Sequence, residues 1–478
     1  MKFFLFTLLI LVAVSVQAQD TIVLMGAQLI DGTGAPPVLN SVIVIEGSTI
    51  TRVGTKEFIP ENGKLVMKIR TAKGMVEIPE NAGVYDVSGK VIIPGLIDAH
   101  IHYDGVRRDL LQMLAWGVTS ANCMVEATSR ALMLEKETAP DSVASPQLYA
   151  TAPIFSTKNG WWWGKDFPDD PALNRFPSTP ADARKQVRRA KAKGIKRIKL
   201  MYDDMRWCRD TLPPLIRMKK NVMAALLDEA GKQGVIAEIH APQLQDAREV
   251  LAAGFTPRKQ TRKDTLEQAE QIGSFGFAHG ILDDIVSEDV EQTMRSKHAF
   301  YIPTFSVFEF LANPRGFMQH VMQGFAVIQS LPESTITQYM SIAYDERYRQ
   351  RYPNGGYVNA HLPVLRQNMK SLYDHHVPVV MGSDMWALPG LGAHLELEYM
   401  VQAGLSPMEA IVAATKMGAR FLGRESTLGT IEVGKQADLL ILDANPLEYI
   451  TSTKYISKII KHGMIYDRRD LIERAKKE

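Results

Sequence analysis

Between residues 91 and 424, short apolar runs alternate with amphipathic segments, and this alternation constrains the fold more than any other feature. Eight of these runs have the length of buried strands: 91–98, 118–124, 148–153, 195–201, 235–240, 275–279, 300–305 and 377–383. Helices are expected between them, including 181–193, 222–233, 243–253, 287–297 and 362–375. Eight strands that alternate with helices favour an α/β fold of the (β/α)8 TIM-like barrel type over an open doubly wound sheet.

Both ends of the chain carry further short strands, separated by glycine, proline and asparagine turns. Neither end has enough strands for a stable sheet of its own. We therefore predict a composite β-sandwich domain built from residues 19–90 and 425–478, and a barrel formed by residues 91–424.

The N-terminus has the pattern of an export signal. Lys2 precedes an apolar run at 3–16, and small residues at 16–18 offer a cleavage site after Ala18. The run is too short and too close to the start for a stable membrane span. We expect a signal peptide at 1–18 and a periplasmic or secreted mature protein.

The overall charge argues against a nucleic-acid-binding role. The 55 Lys and Arg residues against 53 Asp and Glu give a net charge of +2, whereas nucleic-acid binding needs a concentrated basic surface. The only cysteines, Cys123 and Cys208, could form one bridge in an oxidising compartment. Two cysteines make no disulfide framework, so we expect the fold not to depend on them.

Six polar residues lie at or near the ends of the predicted strands, where a barrel collects its functional groups. They are His100, His102, Lys199, His240, His279 and Asp384. His100 and His102 are two residues apart, so both imidazoles point to the same side of a strand and can reach one cation. A single strand-end histidine is more often a packed residue than a ligand. Six such groups at one rim favour a metal site.

The run PGLIDAHIH at residues 94–102 resembles the signature of the amidohydrolase superfamily. The resemblance extends to the Gly-Ser-Asp strand end at 382–384, to the run GTIEVGKQADL at 429–439 and to the split β-domain. Within the superfamily, the chain is most similar to the imidazolonepropionase-like and prolidase-like branch. The similarity covers nearly all of the chain after the predicted signal peptide.

This resemblance implies a site for two divalent metal ions. His100 and His102 would hold the more buried ion. His240 and His279 would hold the second ion. Imidazole and carboxylate ligands favour Zn²⁺, with Mn²⁺, Fe²⁺ or Co²⁺ as alternatives.

The resemblance also assigns roles to the remaining two groups. Lys199 would react with carbon dioxide and bridge both ions as a carbamate, which is an anion with two oxygens. Lys196 is its rival, but the residues around Lys199 match the family pattern better. Asp384 would bind the first ion and transfer protons during the reaction.

The chemistry expected of this site is hydrolysis of a carbon–nitrogen bond in a linear or cyclic amide. A metal-activated hydroxide would attack the carbonyl, and Asp384 would pass a proton to the leaving nitrogen. One alternative is a prolidase-type metallodipeptidase, and another is a non-catalytic binding protein on the same fold. The substrate is expected to be a small amide or dipeptide, and a homo-oligomer is compatible with the sequence.

Several features depart from the family or stay open. An additional charged stretch lies at 256–264, and Pro242 stands where prolidase-like members often carry a polar residue. The long segment 307–360 is expected to carry helices of its own and is a candidate lid. Three adjacent tryptophans at 161–163 either line a substrate pocket or pack between elements. Weaker candidates for contacts around the site are Tyr103, Tyr202 and His394.

Overall fold

A computed structural model describes the chain except for residues 1–20, 63, 104, 126, 141–142, 162–172, 210–211, 256–274, 325–332, 347–349, 351 and 387. The predicted signal peptide and the charged stretch at 256–264 therefore lie outside the described residues, as do Trp162 and Trp163. Within the described residues, every helix is too short or too polar to cross a membrane.

A ten-stranded mixed sheet contains strands from both ends of the chain. The strands are β1 (Thr21–Leu29), β2 (Val38–Glu46), β3 (Thr49–Glu61), β4 (Lys64–Thr71), β5 (Gly74–Val76), β6 (Gly83–Asp86), β7 (Val91–Pro94), β16 (Leu439–Leu442), β17 (Ile456–Lys461) and β18 (Met464–Asp467). Their order is β18-β17-β16-β7-β1-β2-β3-β4-β5, with β6 beside β1. The two ends of the chain meet at β7, which is parallel to β1 and antiparallel to β16.

The middle of the chain forms two parallel sheets with the strand–helix alternation of a TIM-barrel-like α/β fold. The strands are β8 (Leu96–His102), β9 (Val118–Met124), β10 (Gln147–Thr151), β11 (Ile154–Phe155), β12 (Arg197–Met201), β13 (Ile236–His240), β14 (Phe275–Ala278) and β15 (Phe300–Ile302). One sheet has the order β10-β9-β8 and the other β11-β12-β13-β14-β15. The predicted third strand, 148–153, corresponds to β10, and the separate strand β11 follows Pro153, which has no N–H to donate to a ladder.

The helices among the described residues lie mainly between and after these strands. They are α1 (Arg107–Ala115), α2 (Thr128–Thr138), α3 (Pro180–Ala192), α4 (Arg206–Arg209), α5 (Lys220–Gln233), α6 (Leu244–Ala252), α7 (Glu288–Ser296), α8 (Phe305–Ala312), α9 (Pro314–Met322), α10 (Glu333–Tyr344), α11 (Gly355–Asp374), α12 (Leu391–Gln402), α13 (Pro407–Ala414), α14 (Lys416–Leu422) and α15 (Arg468–Ala475), with a short 3₁₀ helix at Ile450–Lys454. The segment 307–360 thus contains helices of its own, as predicted.

The predicted first barrel strand, 91–98, is wrong in its extent, because it is two strands that join different sheets. The change occurs at Gly95, whose N–H donates to Asp438 O at 2.9 Å. A Cβ at this position would lie 2.2 Å from Thr119 Oγ1, so only glycine fits. As a result, β7 belongs to the terminal sheet, and β8 alone carries the histidine pair.

The predicted eighth strand, 377–383, is also wrong as a regular strand, so the described sheets do not form a continuous eight-stranded barrel. The segment makes only an isolated bridge to β15, between Tyr301 and Val379. On its other side, Met381 O accepts from Ala99 N at 3.0 Å, and Asp384 N donates to His100 O at 2.8 Å. The segment therefore lies between β15 and β8 and brings Asp384 beside the histidine pair.

Both cysteines are buried and no disulfide joins them, so the bridge that the sequence allowed is not formed. Cys123 lies within β9 and Cys208 within the short helix α4. The fold does not depend on a disulfide.

Candidate metal centre

The six predicted residues all lie in the described part of the chain and are largely buried. His102 and His240 are the last residues of β8 and β13, and His279 follows β14 directly. Lys199 lies within β12, where its side chain is 4% exposed. Asp384 follows the irregular segment that replaces the eighth strand.

One half of the centre is a compact group of His100, His102 and Asp384. Each residue offers a ligand atom, and these atoms lie within 4.8 Å of one another. Asp384 Oδ1 is 3.7 Å from His100 Nε2 and 3.4 Å from His102 Nε2. His100 Nε2 is buried and has no hydrogen-bond partner among the described residues. The two imidazoles and the carboxylate together form a set of ligands that fits a divalent metal ion.

The other half consists of His240 and His279, whose ring centroids are 4.4 Å apart. The His279 ring lies 5.0 Å from the His100 ring, and its Nδ1 is 3.7 Å from Asp384 Oδ2. Asp384 therefore faces both halves, with one carboxylate oxygen toward each.

In each histidine of this second half, one ring nitrogen contacts a polar side chain. His240 Nε2 lies 3.0 Å from Asp203 Oδ2, and His279 Nδ1 lies 3.0 Å from Thr304 Oγ1. Asp203 in turn accepts from Trp207 Nε1 at 2.8 Å. A metal ion bound by the opposite ring nitrogens would therefore use Nδ1 of His240 and Nε2 of His279.

The structure separates the two candidate lysines. Lys199 Nζ lies 3.2 Å from Glu238 Oε1 inside the protein. Lys196 precedes β12 and its side chain is exposed. Lys199 is thus the lysine that lies at the centre.

Sequence reasoning missed Glu238, a fully buried carboxylate beside the centre. Glu238 Oε1 contacts His100 Nδ1, and its Oε2 accepts from Asn122 Nδ2 at 2.8 Å. The signal for finding it was present, because Glu238 and His240 have the same spacing as His100 and His102. Asp203 was also missed, and its loop position carried no comparable signal.

Burial shifts the protonation equilibria of these groups toward their neutral forms. It lowers the pKa of His100 and of His279 well below the usual value, and lowers the pKa of His102 to about 4. Burial raises the pKa of Asp384 to about 8, although the nearby Lys199 opposes this. The imidazoles are therefore neutral near pH 7, which is the form that donates a lone pair to a metal.

Three residues at the centre have left-handed backbone conformations that are uncommon outside glycine. Their φ angles are 73° for His279, 49° for Thr304 and 48° for Asp384. Such conformations cost about 1–3 kcal/mol each and persist only where the surroundings hold them. Both Asp384 and the His279–Thr304 pair thus depend on the packed structure around them.

A family model described as the amidohydrolase family matches residues 91–468 of this chain. The chain belongs to the amidohydrolase family. It is therefore a hydrolase that acts on carbon–nitrogen bonds, and the resemblance inferred from the sequence is confirmed. The family binds divalent metals, and the histidine pair of this amidohydrolase lies at the end of β8.

Individual relatives of this amidohydrolase are distant but cover nearly all of the chain. Ochratoxinase from Aspergillus niger is 23% identical over 96% of this chain and 88% of its own length. Imidazolonepropionase from Brevibacillus brevis is 24% identical over 92% of this chain and 95% of its own. The crystal structure of a Xaa-Pro dipeptidase with bound methionine superposes with a TM-score of 0.68 and 19% identity, covering 94% of this chain and 100% of that one. The likeness to imidazolonepropionase and to the fold of a Xaa-Pro dipeptidase supports the predicted imidazolonepropionase-like and prolidase-like branch.

The weaker candidates in this amidohydrolase have different surroundings. Tyr103 lines a small pocket beside His102, together with Met113, Met385 and Trp386. Tyr202 and His394 have structural partners instead: the Tyr202 hydroxyl bonds Glu249, and the two His394 ring nitrogens lie 2.9 Å from Thr453 Oγ1 and 2.8 Å from Trp116 O. Trp161 packs against Met124, Ile154 and Met201 near the strand ends.

Proposed function

We propose that this amidohydrolase uses a divalent metal ion, held by His100, His102 and Asp384, to hydrolyse a small amide. The observation that carries the proposal is the buried His100 Nε2, which has no hydrogen-bond partner among the described residues and faces two further ligand atoms. The bound metal supplies Lewis-acid chemistry, which polarises the scissile carbonyl and makes the attacking water more acidic.

The proton transfers of this reaction are assigned to the Asp384 carboxylate. Asp384 accepts a proton from the water that attacks the carbonyl carbon and delivers it to the leaving nitrogen. The carbon–nitrogen bond breaks, and the products are a carboxylic acid and an amine. Oδ1 of Asp384 faces His100 and His102 while Oδ2 faces His279, so the carboxylate is central enough for this role.

We extend the proposal to a second ion, which His240 and His279 would hold, and to a carbamate on Lys199, which would supply anionic oxygen ligands to both ions. Neutral, partly anchored imidazoles and a buried lysine on the neighbouring strand support this arrangement. Zinc suits the nitrogen and oxygen donors best, and Mn²⁺, Fe²⁺ or Co²⁺ are the alternatives.

The pocket beside His102 indicates the kind of substrate group that fits there. Its walls combine Tyr103, Met113, Met385 and Trp386 with the polar residues His102, Asp109 and Ser383, and among the described residues that line it there is no lysine or arginine. A substrate carboxylate would meet Asp109 and no lining cation here, so an apolar acyl or aromatic group in contact with Tyr103, Met113 and Trp386 suits these walls better. A dipeptidase, the second candidate, would need a cation elsewhere to bind the substrate carboxylate; the likeness to a Xaa-Pro dipeptidase structure favours keeping this candidate.

A product screen of the metal-loaded chain tests the function. The panel contains N-acyl amino acids, dipeptides, lactams, lactones and phosphotriesters, and each product is identified by mass spectrometry. We expect turnover of N-acyl amino acids that carry an apolar acyl group. Turnover of lactones or phosphotriesters alone would refute the amide assignment, and binding without any turnover would favour a non-catalytic binding protein.

We also propose export and a two-domain organisation. Cleavage after Ala18 predicts a mature protein that begins at Gln19, which N-terminal sequencing of exported protein would check. We propose that the sheet containing both chain ends folds as a β-sandwich from 19–90 and 425–478 together with β7, beside a barrel that begins at β8 and extends to 424.

A further inference from the structure

We infer that Glu238 is a positioning residue, which fixes the His100 ring so that Nε2 points toward the metal site. This inference rests on the proposed function. Glu238 is on β13 and His100 on β8, so their contact joins two different sheets. Both side chains are 1% exposed, and water therefore does not compete for the contact.

The geometry gives the His100 ring one orientation. Glu238 Oε1 contacts His100 Nδ1, and a carboxylate can only accept, so this nitrogen carries the proton. The lone pair of the neutral ring is then on Nε2, the atom that faces Asp384 Oδ1 at 3.7 Å. A carboxylate behind a metal-binding histidine fixes the tautomer and raises the basicity of the ligand nitrogen.

Glu238 is itself held rigidly by donors from two other strands. Asn122 Nδ2 on β9 donates to Glu238 Oε2 at 2.8 Å and to Ala99 O at 3.0 Å. The amide of Asn122 is oriented by Thr151, whose hydroxyl donates to Asn122 Oδ1 at 2.7 Å. Lys199 Nζ approaches Glu238 Oε1 at 3.2 Å.

The second donor bond of Asn122 supports the backbone next to His100. The register between β8 and β9 shifts between Asp98 and Ile101, and Ala99 lies within this irregular stretch. Irregular ladders leave carbonyl groups without their strand partner, and bulges of this kind are common beside active sites. Glu238 and Asn122 therefore fix both the ring of His100 and the backbone that carries it.

The test compares Glu238→Gln with wild type in the full chain, with Zn²⁺ as the probe. Glutamine keeps the size but presents an amide nitrogen that cannot accept a hydrogen bond from His100, Lys199 or Asn122. We expect the affinity for Zn²⁺, measured by competition with a chelator dye, to fall by about 10–100-fold. Circular dichroism and thermal unfolding of the metal-free protein, recorded in parallel, establish that the folded state is being compared.

Glu229→Gln is the matched control, because Glu229 is a buried glutamate of α5 that pairs with Arg184 and Arg188 away from the centre. We expect its zinc affinity to equal that of wild type. Should Glu238→Gln fail to fold, Asn122→Ser removes one donor to Glu238 and is expected to weaken zinc binding less, in the same direction.

The possible results separate a failure of this inference from a failure of the proposed function. A folded Glu238→Gln protein with wild-type zinc affinity overturns the positioning role while the proposed function stands. Wild-type protein that binds no Zn²⁺ refutes the proposed function itself. If Glu238→Gln lowers the unfolding temperature but leaves the affinity for Zn²⁺ unchanged, Glu238 contributes to stability alone, and the inference is also overturned.

Discussion

The two halves of the candidate metal centre are built in different ways. His100 and His102 come from one strand, two residues apart, so local backbone geometry alone brings them together. His240 and His279 come from separate strands, and each depends on a partner beyond its strand, Asp203 or Thr304. Asp384 faces both halves.

This difference shows which part of the centre tolerates change. The first half needs only β8, Asp384 and the Glu238 contact to present its ligands. The second half depends on loop residues after β12 and β15, and both His279 and Thr304 have positive φ angles. We therefore expect the first half to be essential and the second half to be tuned by its partners.

The largest expected effect comes from removing a metal ligand of the first half. His100→Ala removes the buried nitrogen at its centre and should abolish measurable hydrolysis together with the metal bound there. Metal analysis and kcat/KM measured on the same sample check this. His375→Ala, which changes an exposed histidine whose partners are Glu291 and Ser371, should behave as wild type. Activity retained by His100→Ala would mean that the first half is not the catalytic half.

Asp384→Asn tests the group shared by both halves. The amide can still contribute an oxygen ligand but cannot carry the proton, so metal should be retained while kcat falls by about 10²–10⁴-fold. Asp443→Asn serves as the control, because Asp443 is an exposed aspartate paired with Lys90. Unchanged kcat in Asp384→Asn would remove Asp384 from proton transfer.

Lys199→Ala tests whether the two halves are bridged. We expect a loss of about 100-fold or more in kcat, the scale of a lost electrostatic group, with partial rescue by added short carboxylic acids. Lys196→Ala should leave kcat unchanged. In the metal-free chain Lys199 is paired with Glu238, so ¹³C-labelled bicarbonate should give a carbamate signal only after metal loading. No signal and no rescue would contradict the carbamate on Lys199.

Asp203→Asn tests the tethering of the second half. Asparagine retains the size but weakens the hold on His240 Nε2, so affinity for the second ion should fall by about 10–100-fold. The first ion should be unaffected. Asp204→Asn, at the neighbouring position, is the control. Equal loss of both ions would show that Asp203 does not act on the second half alone.

The smallest expected effect is the number of protons that the protein releases when it binds metal at pH 7. Burial raises the pKa of the Asp384 carboxyl to about 8, so the metal-free group is mostly protonated below that pH and must release its proton to bind metal. His102, with a pKa of about 4, has no proton to release. Calorimetry in bicarbonate-free buffers of different ionisation enthalpy should therefore show about one proton released. Asp384→Asn should release none, and an unchanged count there would assign the proton to another group.

The sequence predicted the ligands of the centre better than the groups that hold them. Strand-end position identifies His240 and His279 because parallel strands expose their carboxyl ends at one rim. Glu238 was overlooked although its spacing from His240 repeats the pattern of the first half. Asp203 lies beyond β12 in a loop, where no periodicity relates it to a histidine 37 residues away.

The errors in the fold have local causes that pattern reading does not detect. An apolar run at 91–98 reads as one strand, yet close packing of Gly95 against Thr119 divides it between two sheets. The run at 377–383 also has strand composition. Its backbone approaches β8 so closely that a Cβ at Gly382 would lie 3.0 Å from His100 N, and regular pairing is replaced by single hydrogen bonds.

A crystal structure of zinc-loaded protein, with anomalous scattering recorded at the zinc edge, tests the central claim most directly. The account predicts an anomalous peak bonded to His100 Nε2, His102 and Asp384, with His100 Nδ1 still on Glu238. A fully loaded, active protein with no peak between these three residues would contradict it.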